Sequence, residues 1–272
     1  MHVSNPVTRS ARAPAMMLER LEGRTLMAAA PHVAAPHSTQ LGKSMGEWSA
    51  EWVKWALSQP AAVNPLLDTT GQFAGVGQDA KVFFLGGTLG GDADRTINVP
   101  SGTKLFFPVI NQFWVNVDAP GGDPPFAGNE AAIRADFDAH SAALTDVDAT
   151  IDGRSVTDVL AHVEEDLAGG FEVDFPADNV FGLDPNVLGL AATQGVYLMT
   201  QPLSPGLHTI EFGGTDTLGG FSLDVKYTIT VLPKGQYNKL PVPQPEAAGR
   251  GTFSTGPSLA SAFFESDDRL LN

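Results

Sequence analysis

The chain is 272 residues long, carries no cysteine and has a formal net charge of -15. Without cysteine there is no disulfide framework, no thiolate nucleophile and no cysteine-ligated zinc or iron-sulfur site, and the negative balance makes nucleic acid a poor partner. No charge-free apolar run approaches the ~20 residues of a membrane helix, so no transmembrane span is expected, while 29 glycines and 20 prolines against 17% charged residues favour turns and short strands.

The apolar density divides the chain into a leader at 1–40, a single core-forming domain at 41–232 and a Pro/Gly/Ser-rich tail at 233–272. In the leader, Arg9, Arg12, Arg20 and Arg24 outnumber Glu19 and Glu22, and Ala28-Ala29-Ala30 offers a small-residue cleavage site. A long apolar h-region is missing, because charges interrupt residues 18–26. Residues 18–27, however, resemble the L-E-x-L-E-x-R-x-L element near the N-terminus of large exported proteins of environmental bacteria. That resemblance implies export, to the cell surface or beyond it, with cleavage after Ala30. The plainer alternative is a short amphipathic helix with Met17, Leu18 and Leu21 on one face.

The domain opens with a helix. Ser44 and Glu47 have capping-box spacing, Met45, Trp48, Trp52 and Trp55 recur at helical period, and Pro60 stops the run. Three tryptophans on one face suit either a sugar-stacking platform or packing against a sheet, and the spacing favours packing. Strands are expected at 81–85, 96–99 and 104–117, with Pro108 marking a bulge or an edge. The Pro100-Ser101-Gly102-Thr103 turn suggests that 96–99 and 104–107 form a hairpin.

From Asp118 to Asp184 sixteen acidic residues face only Arg134 and Arg154, a solvated surface that can attract Ca²⁺ or basic partners. Within it, 129–144 reads as a short acidic helix capped by Asn129. Asp152-Gly153 reads as a hairpin turn between 147–151 and 155–159, and 158–183 has room for one or two strands. Strands then follow at 196–200 and 207–212, a glycine-bounded loop at 213–220, and a last strand at 221–232. There Phe221, Leu223, Val225, Tyr227, Ile229 and Val231 alternate with polar residues. These features together predict a mainly β fold: an antiparallel β-sandwich, jelly-roll or Ig-like, with one N-terminal Trp-bearing helix and one short acidic helix. In the tail, Pro241, Pro243 and Pro245 suggest a polyproline stretch, and 260–271 a terminal helix.

Several blocks together resemble a family of uncharacterised exported bacterial β-rich proteins. They are Trp52 with Trp55, Asn64-Pro65 with Asp68-Thr69-Thr70-Gly71, and Phe84-Leu85-Gly86-Gly87-Thr88. Further blocks are Arg95 with Val99-Pro100-Ser101-Gly102, Phe106-Phe107-Pro108-Val109-Ile110-Asn111, Pro205-Gly206-Leu207-His208-Thr209-Ile210, and Asp224-Val225-Lys226-Tyr227. The resemblance implies export and a β-rich domain, and brings no catalytic residue with it. A cysteine pair in those relatives falls near Phe73 and Ile97, which implies that a packed contact between the two segments stands in for it here.

Candidate chemistry is sparse. Asp68-Thr69-Thr70-Gly71 and Asp216-Thr217-Leu218-Gly219 each have one residue too many for an aspartic-protease turn. A glycosidase pair cannot be selected among 31 acids, and neither a Gly-x-Ser-x-Gly elbow nor a P-loop is present. Asp136, Asp138 and His140 cluster, but helical spacing turns Asp138 away. His162 with Glu165 and Asp166 lacks the second histidine of a zinc hydrolase, and His208 reads as structural. Carboxylate excess favours calcium, with Asp92 and Asp94 in a glycine-rich loop, or Asp118 and Asp123, as ligands. No residue is singled out as catalytic, and no cofactor other than Ca²⁺ is expected. The reading is a non-catalytic secreted or cell-surface interaction or structural module, with an envelope protein or polysaccharide as partner. The alternatives are a secreted polysaccharide-acting hydrolase and a calcium- or carbohydrate-binding module.

Overall fold

The computed structural model describes residues 32–78, 81–116, 128–182, 188–238 and 240. The leader element, Ala30, Asp118, Asp123 and the expected tail structure lie outside these. In chain order the elements are β1 (Thr39–Gln40), β2 (Lys43–Ser44), α1 (Met45–Leu57), β3 (Val82–Phe84), β4 (Gly91–Pro100), β5 (Lys104–Asn116), α2 (Glu130–Ala142), β6 (Leu144–Ile151) and β7 (Arg154–Ser155). There follow β8 (Val163–Asp174), β9 (Leu188–Met199), β10 (Gly206–Asp216), β11 (Phe221–Leu232) and α3 (Lys234–Tyr237), with 3-10 turns at Ala61–Val63 and Val159–His162. The fold is mainly β, and no helix among the described residues is long and apolar enough to cross a membrane.

Apart from the β1–β2 ribbon the described residues form two sheets, ordered β4-β11-β10-β6-β7 and β3-β5-β9-β8. Both are mixed rather than purely antiparallel. β10 and β11 run antiparallel in unbroken register from Gly206↔Val231 to Asp216↔Phe221. β4 lies parallel to β11, from Leu223↔Gly91 to Leu232↔Pro100, and β3 lies parallel to β5.

The expected hairpin of 96–99 with 104–107 is therefore not formed. The chain does turn at Pro100–Thr103, with Gly102 at φ 79°, but the turn carries it from one sheet into the other. Burial explains why. β4 alternates exposed and buried residues, so it needs cover on one face only. β5 is buried continuously from Leu105 to Ile110, so it needs cover on both. Phe107, on one face, stacks on Phe212 of β10 at 4.9 Å, within a core cluster that draws on both sheets. Phe106, on the other face, joins α1 in a second cluster with Trp48, Trp52, Trp55, Phe84 and Tyr197. As Pro108 suggested, the β5–β9 register slips between Pro108 and Ile110.

α1 begins with both halves of the capping box, Ser44 Oγ accepting from the Glu47 N–H and Glu47 accepting from the Ser44 N–H. Gly46 lets the helix lie directly on β8, because a Cβ there would run into the Glu165 carbonyl. α2 seats Ile133 and Phe137 against Leu167 and Ala192. Its expected cap is not made, since Asn129 sits at φ -108° and ψ 2° with no side-chain capping bond. Asp152-Gly153 is the turn between β6 and β7, with φ values of 52° and 70°, as a type I′ hairpin requires. β7 is only two residues long, and of the expected one or two strands in 158–183 the described residues, up to 182, hold one, β8.

Gly213 and Gly214, expected in a loop, are strand residues of β10. At Gly213 a Cβ would be 2.6 Å from the Leu223 carbonyl, so the glycine permits close pairing with β11 instead of breaking it. The Phe73 and Ile97 segments do lie side by side, the Thr96 N–H donating to the Thr70 carbonyl at 3.0 Å. Gly71 rests on Ile97, where a Cβ would be 2.7 Å from its Cγ2, while Phe73 is only half-buried and outside the core clusters.

Candidate functional site

The three tryptophans of α1 are 2–7% exposed, which supports packing over an open stacking platform. Each indole N–H also fastens a different stretch of chain: Trp48 donates to the Gln40 carbonyl, Trp52 to Leu85 and Trp55 to Val76. Those bonds fix the rings, and the edges of two of them reach a surface groove.

The groove has a volume of about 530 Å³ and runs beside α1. Helical spacing brings Trp48, Glu51, Lys54, Trp55 and Ser58 to its border. Lys43 comes from β2, Lys81 and Phe84 from around β3, and Glu172 and Asp174 from β8. Trp48, Trp55 and Phe84, each 5–7% exposed, contribute a small aromatic surface to it, and the rest of the lining carries both signs of charge. Glu51 bridges Lys43 at 2.9 Å and Lys54 at 3.4 Å. The Lys43 ammonium stands 5.4 Å from the Trp48 ring and that of Lys54 5.5 Å from the Phe171 ring. Because these pairs are over a third exposed on both partners, each contributes under about 1 kcal/mol. Their charges can therefore turn to a ligand at small cost.

Outside the groove lining, Arg95 is 1% exposed and ties distant stretches of the chain together. Its guanidinium donates to the carbonyls of Asp68, Gly86 and Gly87 and to the Tyr227 hydroxyl. Burial pushes the Asp68 carboxyl up, but the Phe73 N–H, the Thr70 hydroxyl and the N–H groups of Thr70 and Gly71 outweigh it and hold the group below its usual range. Nothing in the composition marks Arg95 as interior. Its position in the buried phase of β4, between Asp94 and Thr96, is the one sequence signal for it.

Other candidates separate or turn inward. Asp92 and Asp94 stand on the exposed face of strand β4, not in a loop. Among the described residues no group of three or more His, Asp or Glu side chains is placed to hold a metal ion. Asp68 and Asp216 each bind backbone N–H groups of their own turns. His140 Nδ1 lies 2.6 Å from Asp216 Oδ2, and its Nε2 is 3.8 Å from Asp136. Asp138 points elsewhere, as helical spacing requires, and accepts from Gln194. Glu165 pairs with Arg134 and not with His162, which is buried. His208 Nδ1 is 2.8 Å from Asp152 Oδ2, a contact that joins β10 to the β6–β7 turn.

Compared with family models, with curated proteins and with solved structures, the chain finds no match.

Proposed function

We propose that this chain is an exported, non-catalytic binding module, a face-to-face β-sandwich that holds a polysaccharide strand in the groove beside α1. One observation carries the reading: a groove of about 530 Å³ that combines the edges of buried aromatic rings with ammonium and carboxylate groups along its lining. A polyhydroxylated chain offers donors, acceptors and apolar C–H faces in alternation, and such a groove meets all three. The net charge of -15 and the balanced charges of the groove favour a neutral glycan over a strongly anionic one.

Affinity electrophoresis and calorimetry of the full chain against neutral, acidic and basic polysaccharides test it. Binding to a neutral glycan that weakens about tenfold in Lys54→Ala and Glu172→Ala, with unchanged melting temperature, is the expected outcome. No binding across the panel, or binding indifferent to both substitutions, would reject the groove as the site.

A further inference from the structure

Residues 32–37 form a strap at the edge of the four-stranded sheet. β8 pairs with β9 only as far as Val163↔Val196, and beyond that point the strap takes its place. Val33 bridges Thr200, the Ala34 N–H donates to the Met199 carbonyl at 2.7 Å, and the Gln201 N–H donates to the His32 carbonyl at 2.9 Å. The far end is fastened to β8. There the His37 N–H donates to Glu164 Oε1 at 2.6 Å, and His37 Nδ1 is 3.2 Å from Glu164 Oε2.

Between the strap and the 3-10 turn Val159–His162 is a cavity of about 280 Å³, lined by Val33, Ala34, Pro36, Val156, Ala161 and His162 among others. His162 is 4% exposed, and its Nδ1 is buried without a hydrogen-bond partner among the described residues. The charged groups around it are few. Glu164 on β8 is engaged by His37 of the strap, and Asp158 is an exposed residue at the cavity rim. The neighbouring core residues of β6 and β9, Ala149, Ile151, Val196 and Leu198, carry no ionisable group. Burial, with His37 adding to it, keeps the imidazole neutral below its ordinary value of 6.5.

We infer that the strap is an acid-released latch, in which protonation of His162 detaches residues 32–37 from β8 and β9 while the two sheets stay folded. A charged imidazole here has no hydrogen-bond partner at Nδ1 among the described residues and must be hydrated. Lifting the strap is the smallest change that admits water to Nδ1, because the opposite wall, the turn at 156–162, is anchored in the core by Val156 and Val159. The open form binds the proton more tightly, so opening grows by up to about tenfold per pH unit as the pH falls below 6.5, and levels off at the closed-state value.

Amide hydrogen exchange of the full chain at about pH 7.5 and about pH 5, corrected for the intrinsic rate, tests the latch. Peptides covering 32–37 and 199–201 should exchange about tenfold or more faster at the lower pH while β11 stays protected, and His162→Gln should remove that difference. A strap indifferent to pH, or the same response in His162→Gln, would overturn the proposal. Should that variant fail to fold, the imidazole titration of His162 in the unmodified chain decides. A midpoint below 6.5 that coincides with strap release supports the latch, and one at or above 6.5 rejects it.

Discussion

Replacing Arg95 with methionine removes a guanidinium that binds three backbone carbonyls and one tyrosine hydroxyl in the interior. The Tyr227 hydroxyl retains its bond to the Gly86 carbonyl, so the carbonyls left bare are those of Asp68 and Gly87. At about 1–3 kcal/mol for each buried group without a partner, the loss is about 2–6 kcal/mol. Relief of the desolvation cost of the cation returns part of that, leaving a destabilisation of about 2–4 kcal/mol. Urea unfolding followed by tryptophan fluorescence reads it directly, since the Trp52 indole is bonded to Leu85, next to Gly86. The midpoint should fall with an unchanged slope. Arg95→Lys should recover less than half of the loss, because one ammonium cannot match a planar fork with separate carbonyls. A change below about 1 kcal/mol in Arg95→Met would refute the idea that this residue joins the Asp68 turn, the Gly86-Gly87 turn and β11.

Three further outcomes are expected. Asp68→Asn loses acceptors for its own turn and should cost about 2–4 kcal/mol at neutral pH; since the native carboxyl is held low, the gap to the unmodified chain should close as the pH falls below 3.8 in acid-unfolding curves. Asp148 behaves oppositely: burial, then Asp224, Glu211 and Asp146, raise its carboxyl, so folding is penalised while it is ionised, and Asp148→Asn should stabilise at pH 7 by under about 1 kcal/mol, with no gain at low pH in thermal melts. Phe73→Ser should cost about 1 kcal/mol rather than the several of a full core loss, because the ring is half-buried; a drop above about 3 kcal/mol in chemical denaturation would show a closer contact with the core.

What was legible in the chain was local. The capping box at Ser44, the helical stripe of Met45, Trp48, Trp52 and Trp55, the period-2 run of β11 and the Asp152-Gly153 turn each depend on neighbours within a few residues. What was hidden depends on distant partners. The turn at Pro100–Thr103 is visible, but whether it closes a hairpin depends on β11 and β9, both far away in sequence. Asp92 and Asp94 looked like loop residues because glycines precede them, although their alternation with Ala93 and Arg95 is that of a strand with one wet face. The groove was half legible: the tryptophans announced α1, but Lys43, Lys81, Glu172 and Asp174 meet there only through the sheet. His162 was noticed for its acidic neighbours, whereas the structure buries it away from Glu165, beneath a strap that no local pattern marks.

The parallel pairing of β4 with β11 also sets a schedule for folding. β11 is the neighbour β4 requires, and it is the last strand among the described residues. A ribosome or export channel that releases the chain from its N-terminus therefore delivers β4 long before its partner. Until residues 221–232 emerge, the edge of β4 and the apolar face of β5 lack the partners that cover them in the folded chain. Closure of the five-stranded sheet is thus a late, long-range event, and refolding slower than for a helical chain of this length follows from topology alone.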